Sequence, residues 1–118
     1  MTRFLFVLND APYVTERSYQ GLRLAIQLLK HEPKPEVRVF LMGEAARCAK
    51  KGHVRARGEY NVEIMLGSAL KRGAAIAVCG TCMDARKIAD ADLVAGTRRG
   101  TVDELAQWTL WAEKVLVW

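Results

Sequence analysis

Cysteine, proline and long apolar runs are all scarce in this chain of 118 residues. No apolar run approaches the roughly 18 residues that would cross a bilayer, so we expect no membrane span. Three cysteines, an odd number, do not make the disulfide framework of a small secreted domain. No charged and apolar leader precedes the first apolar run, and we therefore expect a cytoplasmic protein in a reducing compartment.

The chain also lacks the loops and clusters that hold common cofactors. It has neither a Walker loop nor a G-x-G-x-x-G sequence for nucleotide phosphates. His31, Cys48 and His53 are scattered, without the spacing of a zinc site. We expect no metal, no cofactor and a single domain over residues 1–118, because a chain of this length buries a core without such staples.

The net charge of +5 comes from one segment of the chain. Residues 34–58 hold seven Lys or Arg against Glu36 and Glu44, while eleven bases balance eleven acids elsewhere. Such a segment attracts nucleic acid, an acidic protein or an anionic substrate, although a solvated loop is the simpler interpretation. No aromatic residue lies between Ala45 and Glu59 to stack on bases, and no nucleic-acid-binding motif is present. Nucleic acid is therefore not the expected partner.

Short, continuous apolar runs predict strands that are covered on both faces of a parallel sheet. The predicted strands are residues 4–8, 37–42, 74–78, 92–95 and 115–118, of which the fourth is the briefest. Segments with helical periodicity or helix-start signals lie between them, at residues 15–29, 44–51, 59–73, 81–86 and 101–111. Thr15 is the predicted N-cap of the first helix, and Thr101 with Glu104 makes a capping box for the last. This alternation predicts a parallel α/β sandwich.

Two cysteines flank the junction between the third strand and the short helix after it. Cys79 closes the strand, and Cys82 follows in the sequence Cys-Gly-Thr-Cys. Free N–H groups and the helix dipole at such a junction favour a thiolate, the reactive form of cysteine. Gly80 leaves the sulfur uncrowded and allows an unusual turn. Thiol chemistry is the leading hypothesis, and simple packing of both sulfurs in the core is the alternative.

The position of these cysteines predicts where the site lies. The carboxyl ends of parallel strands meet at one edge of the sheet, where α/β proteins bind their ligands. That edge gathers Asn9, Gly43 and Cys79. Because the basic segment begins right after the second strand, we expect a polar, cationic rim that lowers the pKa of Cys79.

A thioredoxin-like oxidoreductase also uses a C-x-x-C pair at the start of a helix. Prolines occur only at positions 12, 33 and 35, so no proline downstream of the pair is present to face it. No tryptophan precedes Cys79. The sequence therefore disfavours that class.

Four segments together carry a family signature: residues 40–43, 60–61, 79–86 and 104–106. The octapeptide C-G-T-C-M-D-A-R at the end of a strand is its most specific part. On these segments the chain resembles the DsrE and YchN-like family of small sulfur-relay proteins. The resemblance implies a three-layer α/β/α sandwich with a mostly parallel five-stranded sheet, assembled as a homo-oligomer, a trimer or hexamer.

The resemblance also implies the chemistry and the residues of the site. Cys79 matches the cysteine that carries persulfide between a sulfur donor protein and an acceptor protein. Cys82 either resolves that persulfide as a disulfide or only packs. The residues expected to bind substrate or anion beside this pair are Asn9, Gly80, Thr81, Arg86 and Asn61. Arg86 holds the anion or pairs with Asp84, and Lys87 stands where the family often has glycine.

Two other classes stay open beside sulfur relay. One is a dithiol redox protein, and the other is a non-catalytic oligomeric adaptor whose cysteines are inert and whose basic segment docks an acidic partner. Cys48 is expected to pack on a short helix, and His53 in the basic loop is assigned no role. The tryptophans near the C-terminus are expected to complete the core or form a subunit contact.

Overall fold

A computed structural model describes all 118 residues as a five-stranded sheet covered by helices on both faces. In chain order the elements are β1 (Arg3–Leu8), α1 (Arg17–Leu29), β2 (Glu36–Leu41), a 3-10 helix (Gly43–Ala49), α2 (Val62–Lys71), β3 (Ala75–Cys79), α3 (Gly80–Ala85), a 3-10 turn (Asp90–Asp92), β4 (Thr97–Gly100), α4 (Val102–Trp111) and β5 (Lys114–Val117). The strand order is β4-β3-β2-β1-β5, and every neighbouring pair is parallel. The predicted α/β/α sandwich with a parallel five-stranded sheet is confirmed.

Right-handed crossovers explain which helices lie on which face. The chain steps in one direction from β1 through β2 and β3 to β4, and α1 packs beside α2 along that path. The last crossover, from β4 back to β5, runs in the opposite direction and places α4 on the other face. The α4 layer is thin, because this single helix covers that face of the sheet.

Two apolar clusters fill the spaces between the layers. Phe6 and Leu41 belong to the larger cluster, under α1 and α2. Leu5, Phe40 and Trp108 belong to the smaller cluster, under α4. Neighbouring residues of one strand thus enter different clusters, which is why the strands are continuous apolar runs rather than alternating ones. No helix of the fold is both long and apolar enough to cross a membrane.

The predicted fourth strand at residues 92–95 is wrong. The strand is instead Thr97–Gly100, which pairs with β3. Leu93 and Val94 are buried, but their backbone reaches the end of the 3-10 helix: Leu93 bridges Lys50, and the Val94 N–H donates to the Ala49 carbonyl at 2.8 Å. The apolar residues of this segment indicated burial correctly, but burial alone does not make the segment a strand. The true strand carries two arginines, which an edge strand tolerates.

Three predicted helices also differ from the structure in where they begin, where they end or which type they are. Helix α1 begins at Arg17, because Thr15 Oγ1 donates to the Asp10 carboxylate at 2.7 Å and accepts from the Arg17 N–H only at 3.3 Å. Helix α2 begins at Val62 instead of residue 59, because Asn61 is its N-cap. The segment expected as a basic helix at residues 44–51 is a 3-10 helix that ends at Ala49.

The capping box of α4 is half formed. Thr101 Oγ1 accepts the Glu104 N–H at 3.1 Å, as predicted. The Glu104 carboxylate, however, binds the guanidinium of Arg98 on β4 instead of reaching back to the Thr101 N–H. The charged pair therefore ties α4 to the edge of the sheet.

Candidate functional site

The two cysteines of the C-x-x-C sequence lie against each other at the carboxyl end of β3. Cys79 is the last residue of β3 and the N-cap of α3. Cys82 Sγ lies 2.7 Å from Cys79 Sγ and donates a hydrogen bond to it. The Cys82 N–H donates to the same sulfur at 3.4 Å, and Thr81 Oγ1 lies 3.3 Å from it. Cys79 Sγ is therefore surrounded by three groups that can donate to a thiolate.

These contacts give the two thiols opposite acidities. Burial disfavours the Cys79 thiolate, but hydrogen bonds from Cys82 and Thr81 outweigh it and lower the pKa of Cys79. Burial raises the pKa of Cys82, and its donation to Cys79 raises it further against the opposing N–H of Gly43. Cys79 is thus the more acidic thiol of the pair, and Cys82 is the less acidic one.

The cationic rim expected around Cys79 does not explain this acidity. Arg86 Nε forms a 2.6 Å salt bridge with Glu44, and Arg86 Nη1 donates to the Cys82 carbonyl oxygen at 3.0 Å. The suggested pairing of Arg86 with Asp84 is wrong, because Asp84 binds Arg99 instead. Arg86 therefore braces α3 against the 3-10 helix, and hydrogen bonds stabilise the sulfur anion.

Arg99 on β4 is the main residue of the site that sequence reasoning missed. Its Nη1 lies 3.0 Å from the Gly80 carbonyl oxygen and 3.0 Å from Asp84 Oδ1. Its Nε lies 2.7 Å from Asp90 Oδ1. Arg99 thereby fastens the start of α3 to the edge strand, directly beside Cys79. The sequence signal that could have identified Arg99 was a pair of adjacent arginines in a short segment with acidic residues on both sides.

Gly80 is needed for close packing, not for an unusual turn. It is the first residue of α3 and has no positive φ angle. A Cβ atom there would lie 3.0 Å from Arg99 Cγ and 3.1 Å from the Gly100 carbonyl oxygen. The space beside Gly80 is therefore occupied by β4 and the Arg99 side chain.

The left-handed backbone at Lys87 follows the last turn of α3. Its φ angle is +56°, in the region that glycine adopts most easily. A glycine would suit this position. The chain differs from the family pattern in having lysine here, but the backbone still makes a left-handed turn.

A cleft of about 300 Å³ opens beside Cys79 between α3, β4 and the first turn of α4. Its lining residues are Cys79, Gly80, Thr81, Asp84, Arg99, Gly100, Thr101 and Val102. Cys79 itself is only 2% exposed, so the expectation of an accessible sulfur is wrong for the chain by itself. Cys82 is half-buried and does not line the cleft. A reagent that enters the cleft meets Cys79.

The two asparagines of the predicted binding set are engaged elsewhere. Asn9 Nδ2 and the Asn9 N–H both donate to the Trp118 carbonyl oxygen at 3.0 Å. Asn61 Oδ1 accepts the Ile64 N–H at 3.1 Å as the cap of α2, and its Nδ2 donates to the His53 carbonyl oxygen at 3.3 Å. Neither side chain lines the cleft, whereas Gly80 and Thr81 do.

The basic loop is ordered by an aromatic cluster. Tyr13 Oη lies 2.6 Å from His53 Nδ1 and accepts the Val62 N–H at 3.0 Å. The Arg55 guanidinium lies 3.7 Å from the Tyr13 ring centroid and forms a 3.1 Å salt bridge with Glu59. His53 is thus a hydrogen-bonded member of a packed loop and not a solvated side chain.

The third cysteine is a core residue, as predicted. Cys48 is buried and its Sγ lies 3.7 Å from the Asp10 carbonyl oxygen. Burial raises the pKa of Cys48 to about 12, so this thiol stays protonated. No group of three or more His, Cys, Asp or Glu side chains is arranged to hold a metal ion.

Comparison with known proteins agrees with this architecture. The DsrE/DsrF-like family model matches residues 2–118. The chain belongs to the DsrE/DsrF-like family.

Two relatives of known sequence align with almost the whole chain. Protein YchN of Escherichia coli strain K12 is 40% identical over 116 residues, which are 98% of each chain. Uncharacterized protein MJ0989 of Methanocaldococcus jannaschii is 31% identical over 114 residues, 97% of each chain. The resemblance derived from the four sequence segments is therefore confirmed.

Solved structures agree with the same family fold. The crystal structure of the E. coli ychN protein matches all of both chains with a TM-score of 0.94 and 39% identity. A protein from Methanobacterium thermoautotrophicum, MTH1491, shares the fold with a TM-score of 0.79 at 11% identity, covering 98% of this chain and 99% of the other. Membership in the DsrE/DsrF-like family fixes the fold, and the site chemistry must be argued from the residues.

Proposed function

We propose that this protein carries persulfide sulfur on Cys79 between a sulfur donor protein and an acceptor protein. The observation that carries the proposal is the geometry around Cys79, whose sulfur accepts hydrogen bonds from Cys82 and lies beside Thr81 Oγ1 at the edge of a cleft. A lowered thiol pKa is what a sulfur acceptor needs, because the thiolate is the nucleophile.

The relay is a pair of displacements at sulfur. The Cys79 thiolate attacks the outer sulfur of a donor persulfide, a new S–S bond forms on Cys79, and the donor thiolate leaves. The acceptor thiolate then attacks the outer sulfur now on Cys79, and the Cys79 thiolate leaves. Each step exchanges one S–S bond for another and needs no external oxidant.

The same proposal includes a homo-oligomer, a trimer or hexamer, in the cytoplasm. Helix α4 exposes an apolar face, on which Val102 and Leu110 are prominent. On β5, Val115 and Val117 are also exposed and pair with Leu5 and Val7, so they face the same side of the sheet as α4. The α4 layer leaves these apolar side chains uncovered. A second copy of the chain offers the same apolar face and can cover them in an oligomer.

Intact-mass measurement after incubation with a small-molecule persulfide tests the carrier role. Directly after mixing we expect a gain of about 32 Da per chain that reductant reverses. The gain is expected with Cys48→Ser and Cys82→Ser proteins and absent with Cys79→Ser. Retention of the adduct by Cys79→Ser protein would contradict the assignment, and no adduct on any thiol would favour a binding module.

A dithiol–disulfide protein is the second candidate, because the two sulfurs lie 2.7 Å apart. Closing a disulfide there requires only loss of the thiol hydrogens and a small further approach. In the same mass measurement this function predicts a mixed disulfide with the donor, and no gain of about 32 Da, in Cys82→Ser protein. The mass of the adduct on Cys79 therefore separates the two functions.

A further inference from the structure

We infer that Cys82 discharges the Cys79 persulfide inside the chain, releasing hydrosulfide and leaving a Cys79–Cys82 disulfide. This inference rests on the proposed sulfur-carrier function and adds a second outcome for the loaded site. Sulfur that no acceptor collects is then released by the protein itself.

The position of Cys82 favours attack on the inner sulfur of the persulfide. Cys82 Sγ lies 2.7 Å from Cys79 Sγ, which becomes the inner sulfur after loading. The cleft is lined by Cys79 and not by Cys82. In this inference the outer sulfur lies in the cleft and the Cys82 sulfur attacks Cys79 Sγ from outside it, the opposed arrangement that displacement at sulfur requires.

The neighbours of Cys82 prepare it for this step once Cys79 is loaded. The Gly43 N–H donates to Cys82 Sγ at 3.2 Å and stabilises a thiolate there. Before loading, burial raises the pKa of Cys82, and the hydrogen bond to Cys79 and the charge that Cys79 carries when ionised raise it further. Loading moves the negative charge one sulfur further out, so the opposition to ionising Cys82 decreases. The partner thiol becomes a nucleophile only after sulfur has arrived.

The atoms and electrons of the discharge balance without another reagent. The Cys82 proton passes to the outer sulfur, the Cys82 thiolate forms an S–S bond with the Cys79 sulfur, and the bond between the inner and outer sulfurs breaks. The outer sulfur gains two electrons and leaves as hydrosulfide, while the cysteine pair is oxidised to a disulfide. A dithiol reductant must then reduce the Cys79–Cys82 disulfide before the next loading. A disulfide-reducing reaction must therefore act on this protein after each discharge.

Single-turnover discharge of loaded protein tests the inference. Wild-type, Cys82→Ser and Cys48→Ser proteins are loaded with a small-molecule persulfide, desalted anaerobically into buffer without reductant, and followed by intact mass and by assay of free sulfide. We expect wild type and Cys48→Ser to lose the added sulfur, release one hydrosulfide per chain, and finish about 2 Da below the reduced mass. Cys82→Ser protein is expected to keep its added sulfur at least about tenfold longer, since serine cannot form the disulfide.

The possible results separate this inference from the function on which it rests. Equal rates of sulfur loss in wild type and Cys82→Ser protein, or sulfide release without a disulfide, would overturn the discharge step alone. Absence of the added sulfur from Cys82→Ser protein would instead overturn the carrier function. Loading of Cys82→Ser protein also shows that its site is folded, so a persistent adduct there is not a consequence of unfolding.

Discussion

Arg99 Nη1 lies 3.0 Å from the carbonyl oxygen of Gly80, the residue that follows Cys79. The edge strand β4 thereby holds the first turn of α3, whose Cys82 supplies two of the hydrogen bonds to the Cys79 sulfur. The acidity of that sulfur depends on a strand that contributes no atom to the reaction.

Arg99→Gln is expected to slow the reaction of the Cys79 thiolate, in sulfur loading and in alkylation, about fivefold. This factor is equivalent to one hydrogen bond worth about 1 kcal/mol. Loss of the Arg99 guanidinium loosens the first turn of α3 and weakens the hydrogen bonds that this turn donates to the Cys79 sulfur. Alkylation of Cys79 by a small reagent measures the effect. Arg98→Gln is the matched control on the same strand, because Arg98 binds Glu104 instead of α3. Equal loss of reactivity in both variants would contradict the role of Arg99.

Cys82→Ala is expected to raise the pH at which Cys79 becomes reactive. The Cys82 thiol is the largest favourable contribution to the lowered pKa of Cys79, so its removal moves the pKa upward. Cys82→Ser keeps an O–H donor and should shift the midpoint less. Alkylation rate against pH measures both, in variants that also carry Cys48→Ser. A midpoint unchanged by Cys82→Ala would show that other groups ionise Cys79.

Gly80→Ala is expected to destabilise the protein by about 1 to 3 kcal/mol, because its Cβ would overlap Arg99 and the Gly100 carbonyl. Gly67→Ala provides the opposite control. Gly67 lies within α2 with no atom within 4 Å of an added Cβ, so alanine should stabilise by about 0.5 to 1 kcal/mol. Urea unfolding measures both free energies. A neutral Gly80→Ala would mean that β4 moves freely away from α3.

Tyr13→Phe is expected to lower the free energy of unfolding by about 1 to 2 kcal/mol, because the Val62 N–H and His53 lose their partner. Tyr19→Phe is the matched control, since the Tyr19 ring stacks on Tyr60 and ring stacking does not need its hydroxyl. Proteolysis in the basic loop should increase with Tyr13→Phe only. An unchanged free energy of unfolding for Tyr13→Phe would mean that ring packing, which the change preserves, orders the loop without the hydroxyl.

Leu110→Glu is expected to break the proposed homo-oligomer, because this side chain is 88% exposed on the apolar face of α4. Light scattering on a sizing column measures the molar mass of each variant. Ile64→Glu, which changes a 71% exposed residue on α2, should leave the assembly intact. A smaller species from Ile64→Glu and not from Leu110→Glu would place the contact on the opposite layer.

The sequence predicted the sheet and the position of the cysteine pair because both depend on strong local signals. Continuous apolar runs defined four of the strands, and the C-x-x-C pair marked the end of β3. The fourth strand was misplaced because its Arg98 and Arg99 read as surface charge, while the apolar Leu93 and Val94 lie outside the sheet.

Long-range pairings were the part that sequence could not supply. Arg86 was expected to pair with Asp84 nearby, yet Glu44 from a distant segment is its partner. Asn9 and Asn61 were grouped with the site, but Asn61 caps a helix and Asn9 binds the C-terminal Trp118. Polar residues at the ends of strands and helices have several partners within reach, and only tertiary packing selects among them.

Peptide-level mass analysis of persulfide-treated Cys82→Ser protein is the most direct test of sulfur carriage. After trapping with an alkylating reagent, the account predicts one added sulfur, about 32 Da, on the peptide that contains Cys79 and none on the peptide that contains Cys48. Added sulfur on Cys48, or on neither cysteine, would contradict the assignment of Cys79 as the carrier.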